Sequence, residues 1–99
     1  MGTQPKAFWR YRLMHEMSVA LEVCRMAEER LGPDASRLVA LGVAVGDDAG
    51  IEPENLAFCL EALLEEPPFD GAEPRILREP GDALHLSYLE IIDDDSSND

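Results

Sequence analysis

The sequence predicts a small α+β domain, a three-stranded sheet with two helices packed on one face, in the order helix, strand, helix, strand, strand. Three observations lead to this fold class. The chain has 99 residues, which is the size of a single domain. Two segments repeat their apolar residues at helical spacing. Three others alternate with a period near two, as strands do.

The first helix is predicted to begin near His15 and to end at Leu31. Its apolar residues recur at intervals of three and four, which places them on one face. These residues are Met17, Ala20, Leu21, Cys24, Ala27 and Leu31. Gly32 and Pro33 follow, the glycine as a C-terminal cap and the proline as a residue that cannot continue the helix.

The next two elements are a strand near residues 38–46 and a helix that starts at Pro53. In the strand, bulky residues alternate with small ones, so one face suits packing under helices. The bulky set is Val39, Leu41, Val43 and Val45. Proline fits the first position of the second helix, and Pro67 with Pro68 ends it.

The last two strands are predicted to pair as a hairpin around the turn at residues 79–82. Pro80 and Gly81 give this stretch turn chemistry. Leu84 and Leu86 alternate with His85, which places the histidine on the opposite face of its strand. An exposed or partner-facing histidine is therefore favoured over a metal ligand at that position.

The charge of the chain limits its partners and its location. A formal charge of -13 argues against a nucleic-acid backbone or an anionic membrane surface, because both would repel it. Cations and basic protein surfaces remain as partners. No apolar run has the length of a membrane span or the character of a secretory signal, so the prediction is a soluble cytoplasmic protein.

Three regions follow from the distribution of charge. Residues 1–13 form a basic, aromatic arm that contains Phe8, Trp9 and Tyr11 but no acidic residue. Residues 14–92 form the domain, and residues 93–99 an acidic tail. The arm is open to three interpretations: a partner-docking segment, a mis-assigned start, or an extension of the first helix.

The two cysteines, Cys24 and Cys59, lie far apart within helix-like patterns. They form no C-x-x-C pair and no disulfide framework, so they are interpreted as small core residues and no zinc is expected. The chain also has no phosphate-binding glycine loop and no nucleophile with a base at recognisable spacing, so it is not predicted to be an enzyme.

Three stretches carry a family resemblance. "MHEMSVALEV", "VALGVAVGDDAGIEPENLAFCLEALL" and "GDALHLSYLEIID" occur in this order between Met14 and Asp94. Together they resemble HypA, the nickel-incorporation accessory protein of [NiFe]-hydrogenase and, in some bacteria, of urease. The family inserts a zinc domain with two C-x-x-C pairs between the last two strands. This chain has only a short turn there, so the zinc domain is predicted to be absent.

The resemblance implies a transient Ni(II) site at Met14, His15 and Glu16, with Glu52 as a supporting carboxylate. In the family this stretch is the amino terminus, and nickel is held by the terminal amine, backbone nitrogens and the histidine ring. Square-planar nickel suits such nitrogen-rich donors. The implied partners are a hydrogenase large subunit and the GTPase that assists nickel insertion.

Two functional hypotheses remain open from the sequence. In the first, the chain is a nickel metallochaperone-like protein whose site is complete if translation starts at Met14 rather than Met1. In the second, the arm is real, His15 and Glu16 are an ordinary polar helix start, and the fold serves as a protein-interaction module without metal. Homo-oligomer formation is open in both, since unpaired sheet edges invite augmentation.

Overall fold

The computed structural model describes the backbone of residues 4–92 and the side chains of residues 15–92. The elements in chain order are α1 (Gln4–Leu31), a 3-10 helix (Gly32–Arg37), β1 (Leu38–Gly46), α2 (Pro53–Leu64), β2 (Glu73–Glu79) and β3 (Leu84–Ile91). The predicted α+β class and element order are confirmed. The predicted acidic tail, residues 93–99, lies outside the described residues. No helix in the described part of the chain is long and apolar enough to cross a membrane.

Helix α1 is longer than the periodicity predicts, because it begins at Gln4 and not near His15. Residues 4–13 of the arm therefore continue α1, although their side chains lie outside the described set. Pro5 is compatible with this start, since proline is tolerated in the first turn of a helix. The helix ends as predicted, with Gly32 at a φ of 53° directly after it.

The sheet has the order β2-β1-β3, so the predicted hairpin is wrong. Strand β1 lies in the centre, pairs parallel with β2 on one edge and antiparallel with β3 on the other. The order β1, α2, β2 is a β-α-β unit, whose crossover helix makes parallel pairing of the two strands possible. Strands β2 and β3 are consecutive in sequence but are separated by β1.

Residues 80–83 cross the end of β1 to connect the two edge strands. Three backbone hydrogen bonds hold this connection: Gly46 N–H donates to Ala83 O over 2.6 Å, and Asp47 N–H to Glu79 O and Asp48 N–H to Gly81 O over 2.8 Å each. The crossing spans two strand spacings, about 10 Å. Four residues can cover that distance, since an extended chain advances about 3.3 Å per residue. Turn chemistry alone does not distinguish this crossing from a hairpin.

The two faces of β1 differ as predicted, with one exception. Leu41, Val43 and Val45 are fully buried and share one core cluster with residues of α1 and α2, so both helices pack on this face. Val39 was predicted to join this set, but it is 38% exposed. The pairing with β3 shifts register between Leu38 and Ala40, so Leu38 enters the core in place of Val39.

The opposite face of β1 carries small residues beneath long side chains from the edge strands. Gly42 pairs with Tyr88 of β3 and Arg75 of β2. A Cβ at position 42 would lie 2.6 Å from Cδ2 of the Tyr88 ring, so the ring covers the glycine. A guanidinium nitrogen of Arg75 donates to the Tyr88 hydroxyl over 3.4 Å and to Glu90 over 3.0 Å, and these bonds position the ring.

Both cysteines are unpaired and belong to the helix-facing core, as predicted. Burial raises the pKa of the Cys24 thiol to about 11, and the nearby Glu28 carboxylate adds to the shift. Burial also raises the pKa of Cys59, with a contribution from the charge of Glu16. Thiols that resist ionisation are poor metal ligands, because the thiolate is the form that binds metal.

Substitution of Gly42 and of Gly46 by alanine should destabilise the protein to different degrees. The Cβ at position 46 would lie 2.6 Å from the Ala83 backbone nitrogen, which cannot move without breaking the crossing. We expect Gly46→Ala to lower the free energy of unfolding by about 2–4 kcal/mol. Gly42→Ala meets only the Tyr88 ring, and we expect about 1–3 kcal/mol.

Urea denaturation of the two variants, alone and combined with Tyr88→Ala, measures this difference. The Tyr88→Ala background should recover most of the Gly42→Ala loss and none of the Gly46→Ala loss. If Tyr88→Ala restores the same unfolding free energy to Gly42→Ala and to Gly46→Ala, the Tyr88 ring does not cover Gly42.

The stability of the protein should fall as the pH rises above 9. The ordinary pKa of a cysteine thiol is 9.0, whereas the folded protein holds that of Cys24 at about 11. A raised folded-state pKa contributes stability that is present below pH 9 and is lost as the pH rises towards 11. Denaturation between pH 8 and 11 should show a shallower decline for Cys24→Ala, and parallel curves would contradict the assignment.

Candidate metal site

The predicted ligands lie in α1 and at the start of α2. The backbone of Met14 is inside α1, and its side chain is outside the described set. His15 is exposed, whereas the next residue, Glu16, is only 1% exposed. Glu52 precedes α2 and has an exposed side chain. The structure thus separates the predicted ligands into a buried carboxylate and two exposed groups.

Glu16 is connected to the amino terminus of α2 by a hydrogen bond. Its Oε2 atom accepts from the backbone N–H of Glu52 over 2.8 Å. Glu52 is the N-cap residue of α2, and Pro53 after it has no N–H to donate. The positive end of the helix dipole stabilises a carboxylate at this place. Glu16 therefore joins α1 to α2, and it reaches Glu52 through the backbone of that residue.

The second oxygen of Glu16 is buried without a hydrogen-bond partner in the described part of the chain. A buried carboxylate oxygen without a donor costs free energy, so the position is held by the surrounding fold. Glu16 also lies close enough to Cys59 for its charge to raise the pKa of that thiol. The carboxylate is thus enclosed between the two helices and does not face the solvent beside His15.

The backbone nitrogens of Met14, His15 and Glu16 lie inside a continuous helix. In an α-helix each of these N–H groups points to the carbonyl four residues earlier. Nickel coordination by backbone nitrogens requires those groups to be free and deprotonated. The helical backbone at Met14 to Glu16 therefore does not offer the donor set that the resemblance implies.

His15 borders a cleft between α1 and β3 that also involves His85. The two histidines do not face each other across it. Leu84 and Leu86 pair with Val45 and Val43, on the helix-facing side of the sheet, whereas His85 pairs with Ala44 on the opposite side. Among the described residues, no group of three or more histidine, cysteine, aspartate or glutamate side chains could hold a metal ion.

The structural role of Glu16 was missed from the sequence, although a signal for it was present. Glu16 falls four residues before Ala20 and eight before Cys24, so it belongs to the apolar stripe of α1. An acidic residue at a core position needs a buried partner. The partner, the Glu52 N–H, lies on another element and could not be named from spacing.

The comparisons with known proteins agree on one family. A family sequence model described as "Hydrogenase/urease nickel incorporation, metallochaperone, hypA" matches residues 14–84. The hydrogenase maturation factor HypA of Azotobacter vinelandii is 39% identical over 74 residues, which are 74% of this chain and 66% of the relative. That of Albidiferax ferrireducens is 30% identical over 80 residues, 80% of this chain and 71% of the relative.

A third relative gives the same result. The hydrogenase maturation factor HypA of Methanopyrus kandleri is 38% identical over 72 residues, 69% of this chain and 49% of the relative. This chain therefore spans between 49% and 71% of the length of the three relatives. No solved structure matches the chain.

The family description is that of a metallochaperone, which agrees with the prediction that the chain is not an enzyme. The match covers the Met14 to Glu16 stretch, β1, α2, β2 and the crossing at residues 80–83, and it ends at Leu84, the first residue of β3. It extends over more than half of the chain and follows the order of its elements. The protein belongs to the HypA family.

Proposed function

We propose that the protein is a nickel metallochaperone-like accessory protein of [NiFe]-hydrogenase maturation. It binds Ni(II) as cargo at Met14 to Glu16 and passes the ion on with a partner GTPase to a hydrogenase large subunit. One observation supports this proposal most directly: Glu16 is buried and bonded to the Glu52 N–H, while the adjacent His15 is exposed. The fold thus holds this histidine at its surface.

In this proposal the predicted ligands have different roles. The exposed imidazole of His15 and backbone nitrogens at Met14 to Glu16 bind the ion, since square-planar nickel favours nitrogen donors. Glu16 is a positioning residue, because its carboxylate is already committed to the start of α2. Glu52 has an exposed side chain near that bond and can serve as an outer carboxylate for the bound ion.

Binding of this kind requires the helix to change before Met14. Residues 4–13 continue α1, so the backbone nitrogens are released only if this segment unwinds or if the chain starts at Met14. A site made of one side chain and an exposed backbone gives up its ion easily to a deeper, thiolate-rich site, which suits transfer. The protein requires no bound zinc for this role and is expected to work in the cytoplasm.

The continuity of α1 favours a second candidate function. If residues 4–13 stay helical, the metal donors stay engaged and the fold acts as an interaction module in hydrogenase maturation. Its partners then bind to the helical arm or to the free edges of β2 and β3, which have unpaired backbone groups. The two functions differ in whether His15 binds nickel.

Nickel titration of three proteins distinguishes the two functions. We expect the chain that begins at Met14 to bind one Ni(II) and to show the d-d absorption of square-planar nickel. The full chain should bind at least tenfold more weakly, because nickel must first break helical hydrogen bonds worth roughly 0.5–1.5 kcal/mol each. His15→Ala in the shorter chain should abolish the absorption.

His85→Ala is the matched control, since it removes the other histidine from the opposite face of β3. It should leave the titration unchanged. If nickel binding is absent in both chain lengths, or is indifferent to His15, the metallochaperone function is wrong and the interaction module remains.

Removal of the Glu16 carboxylate should affect stability and nickel binding together. Glu16→Ala leaves the Glu52 N–H without its acceptor, and we expect the free energy of unfolding to fall by about 1–3 kcal/mol. Glu16→Gln keeps an acceptor for that N–H and should lose less. Glu16 fixes the orientation of the adjacent His15. In the chain that begins at Met14, the nickel affinity should therefore fall more in Glu16→Ala than in Glu16→Gln.

Glu22→Ala is the control for charge, because Glu22 lies on α1 and its exposed carboxylate accepts hydrogen bonds from the exposed Arg25. Exposed ion pairs contribute little, so this variant should stay within about 0.5 kcal/mol of the parent protein. A Glu16→Ala variant as stable as Glu22→Ala would show that the bond to Glu52 does not hold the two helices together.

A further inference from the structure

Helix α2 carries an exposed aromatic side chain on the face that points away from the sheet. Its buried residues, which pack into the helix-facing core, are Leu56, Cys59, Leu60 and Leu64. Phe58 lies outside this stripe and is 62% exposed, more than any other large apolar side chain in the described part of the chain. An aromatic ring buries roughly 150–250 Å² when it is enclosed. The fold itself therefore makes little use of the apolar surface of Phe58.

Three carboxylates surround Phe58 on the same face of the helix. Glu54 lies four residues before it, Glu61 three residues after it and Glu65 seven after it, and these intervals place them on one side of a helix. All three are exposed. Among the described residues, none of them has an ion-pair partner. We call Glu54, Phe58, Glu61 and Glu65 the α2 acidic face.

The helix itself disfavours two of these carboxylates. Glu61 lies in the last turn of α2, and Glu65 is its C-cap residue. The negative end of the helix dipole repels anions there, and like charges four residues apart repel each other. Helix α2 contains no basic residue that could offset this repulsion. A cationic group bound at this face would relieve both repulsions.

A second exposed apolar side chain lies beside this face, on α1. Leu21 is 53% exposed and is not part of the cleft between α1 and β3. The bond between Glu16 and the Glu52 N–H joins the two helices at one corner, and both run from there towards the end of the sheet where β1 and β2 start. Leu21 is five residues past this bond and Phe58 six, so each lies about 8 Å along its helix. The exposed apolar surface thus extends across both helices.

We infer that the α2 acidic face, with Leu21 beside it, docks a basic amphipathic helix of a partner protein. Arginine or lysine side chains of that helix pair with the three carboxylates, and an apolar side chain between them covers Phe58. The inference concerns a protein-binding surface, and it holds whether or not His15 binds nickel.

Charge determines which partners fit this face. Nucleic acids and anionic membranes are repelled by the carboxylates. A second copy of this chain would bring the same carboxylates against them in a twofold contact, so the face is not complementary to itself. A basic helix satisfies both features of the face, because opposite charges fix its register and the enclosed aromatic ring supplies most of the binding energy.

The spacing of the carboxylates fits a helical partner. Glu54 and Glu61 are seven residues apart, and Glu65 follows four residues later, so the three span about 17 Å along α2. A helix that lies along α2 repeats the same rise per residue and can place basic residues at the same intervals. Helices that bind in this way present their apolar contacts at intervals of three and four, which suits a single apolar residue over Phe58.

Fluorescence anisotropy with a labelled synthetic peptide tests the inference on the full chain. The probe is an alanine-based helix of about 15 residues, with a central leucine and arginines at the intervals of the three carboxylates. We expect saturable binding with a Kd of about 1–100 μM. Phe58→Ser and Glu61→Arg should each weaken binding by about tenfold or more. A peptide with glutamate in place of arginine should not bind.

Asp82→Arg is the matched control for net charge. It makes the same charge reversal as Glu61→Arg at an exposed position in the crossing, at the opposite end of the sheet from the last turn of α2. It should change the Kd by less than about threefold. Glu61→Arg should also raise the midpoint of urea unfolding, because it removes the repulsion at the end of α2. Loss of binding in that variant would then not result from unfolding.

The amide resonances of the ¹⁵N-labelled chain locate the bound peptide. We expect shifts in α2 and around Leu21, and a shift pattern confined to the cleft between α1 and β3 overturns the inference. Absence of saturable binding overturns it as well. So does binding that persists in Phe58→Ser, or that Asp82→Arg weakens as much as Glu61→Arg, since the peptide would then respond only to the net charge of the protein.

Discussion

The position of β1 in the centre of the sheet determines where the other elements lie. Both helices pack on the face of β1 that carries its bulky side chains. Tyr88 and Arg75 from the edge strands cover the other face, where the residues of β1 are small. Both of its edges are paired, so the chain must reach one edge through α2 and return to the other across the end of the strand. That return brings residues 80–83 against Gly46 and leaves no space for a side chain there.

This arrangement also creates the corner where the candidate site lies. Helix α2 begins shortly after the end of β1, and its amino terminus meets α1 at Glu16. Consecutive residues of a helix are rotated by about 100°. When Glu16 enters the core, His15 is therefore turned towards the surface. A buried carboxylate is costly unless it is bonded, so the fold maintains the orientation of His15 as part of its own stability.

The sequence predicts those features that depend on neighbours along the chain. The contrast between the faces of β1 and most of the apolar stripe of α1 followed from spacing, because each is a repeat within one segment. The stripe was wrong at Leu21, which is 53% exposed, whereas Val23 is buried in the core. The edge that a strand occupies depends on the crossover through α2 and on a connection that spans two strand spacings. Neither is visible in the residues around the turn, so Pro80 and Gly81 suggested a hairpin. The displacement of Val39 by Leu38 depends on a register shift against β3, a distant segment. Glu16 was visible as an acid on an apolar stripe, but its partner at Glu52 was not.

The proposed nickel binding and the helical arm compete for the same backbone N–H groups, those of residues 14–16. Nickel needs nitrogens that have given up their protons, whereas α1 uses the same N–H groups as donors to the preceding turn. Three such bonds contribute roughly 2–4 kcal/mol in total, which is equivalent to a factor of about 30 to 1,000 in affinity.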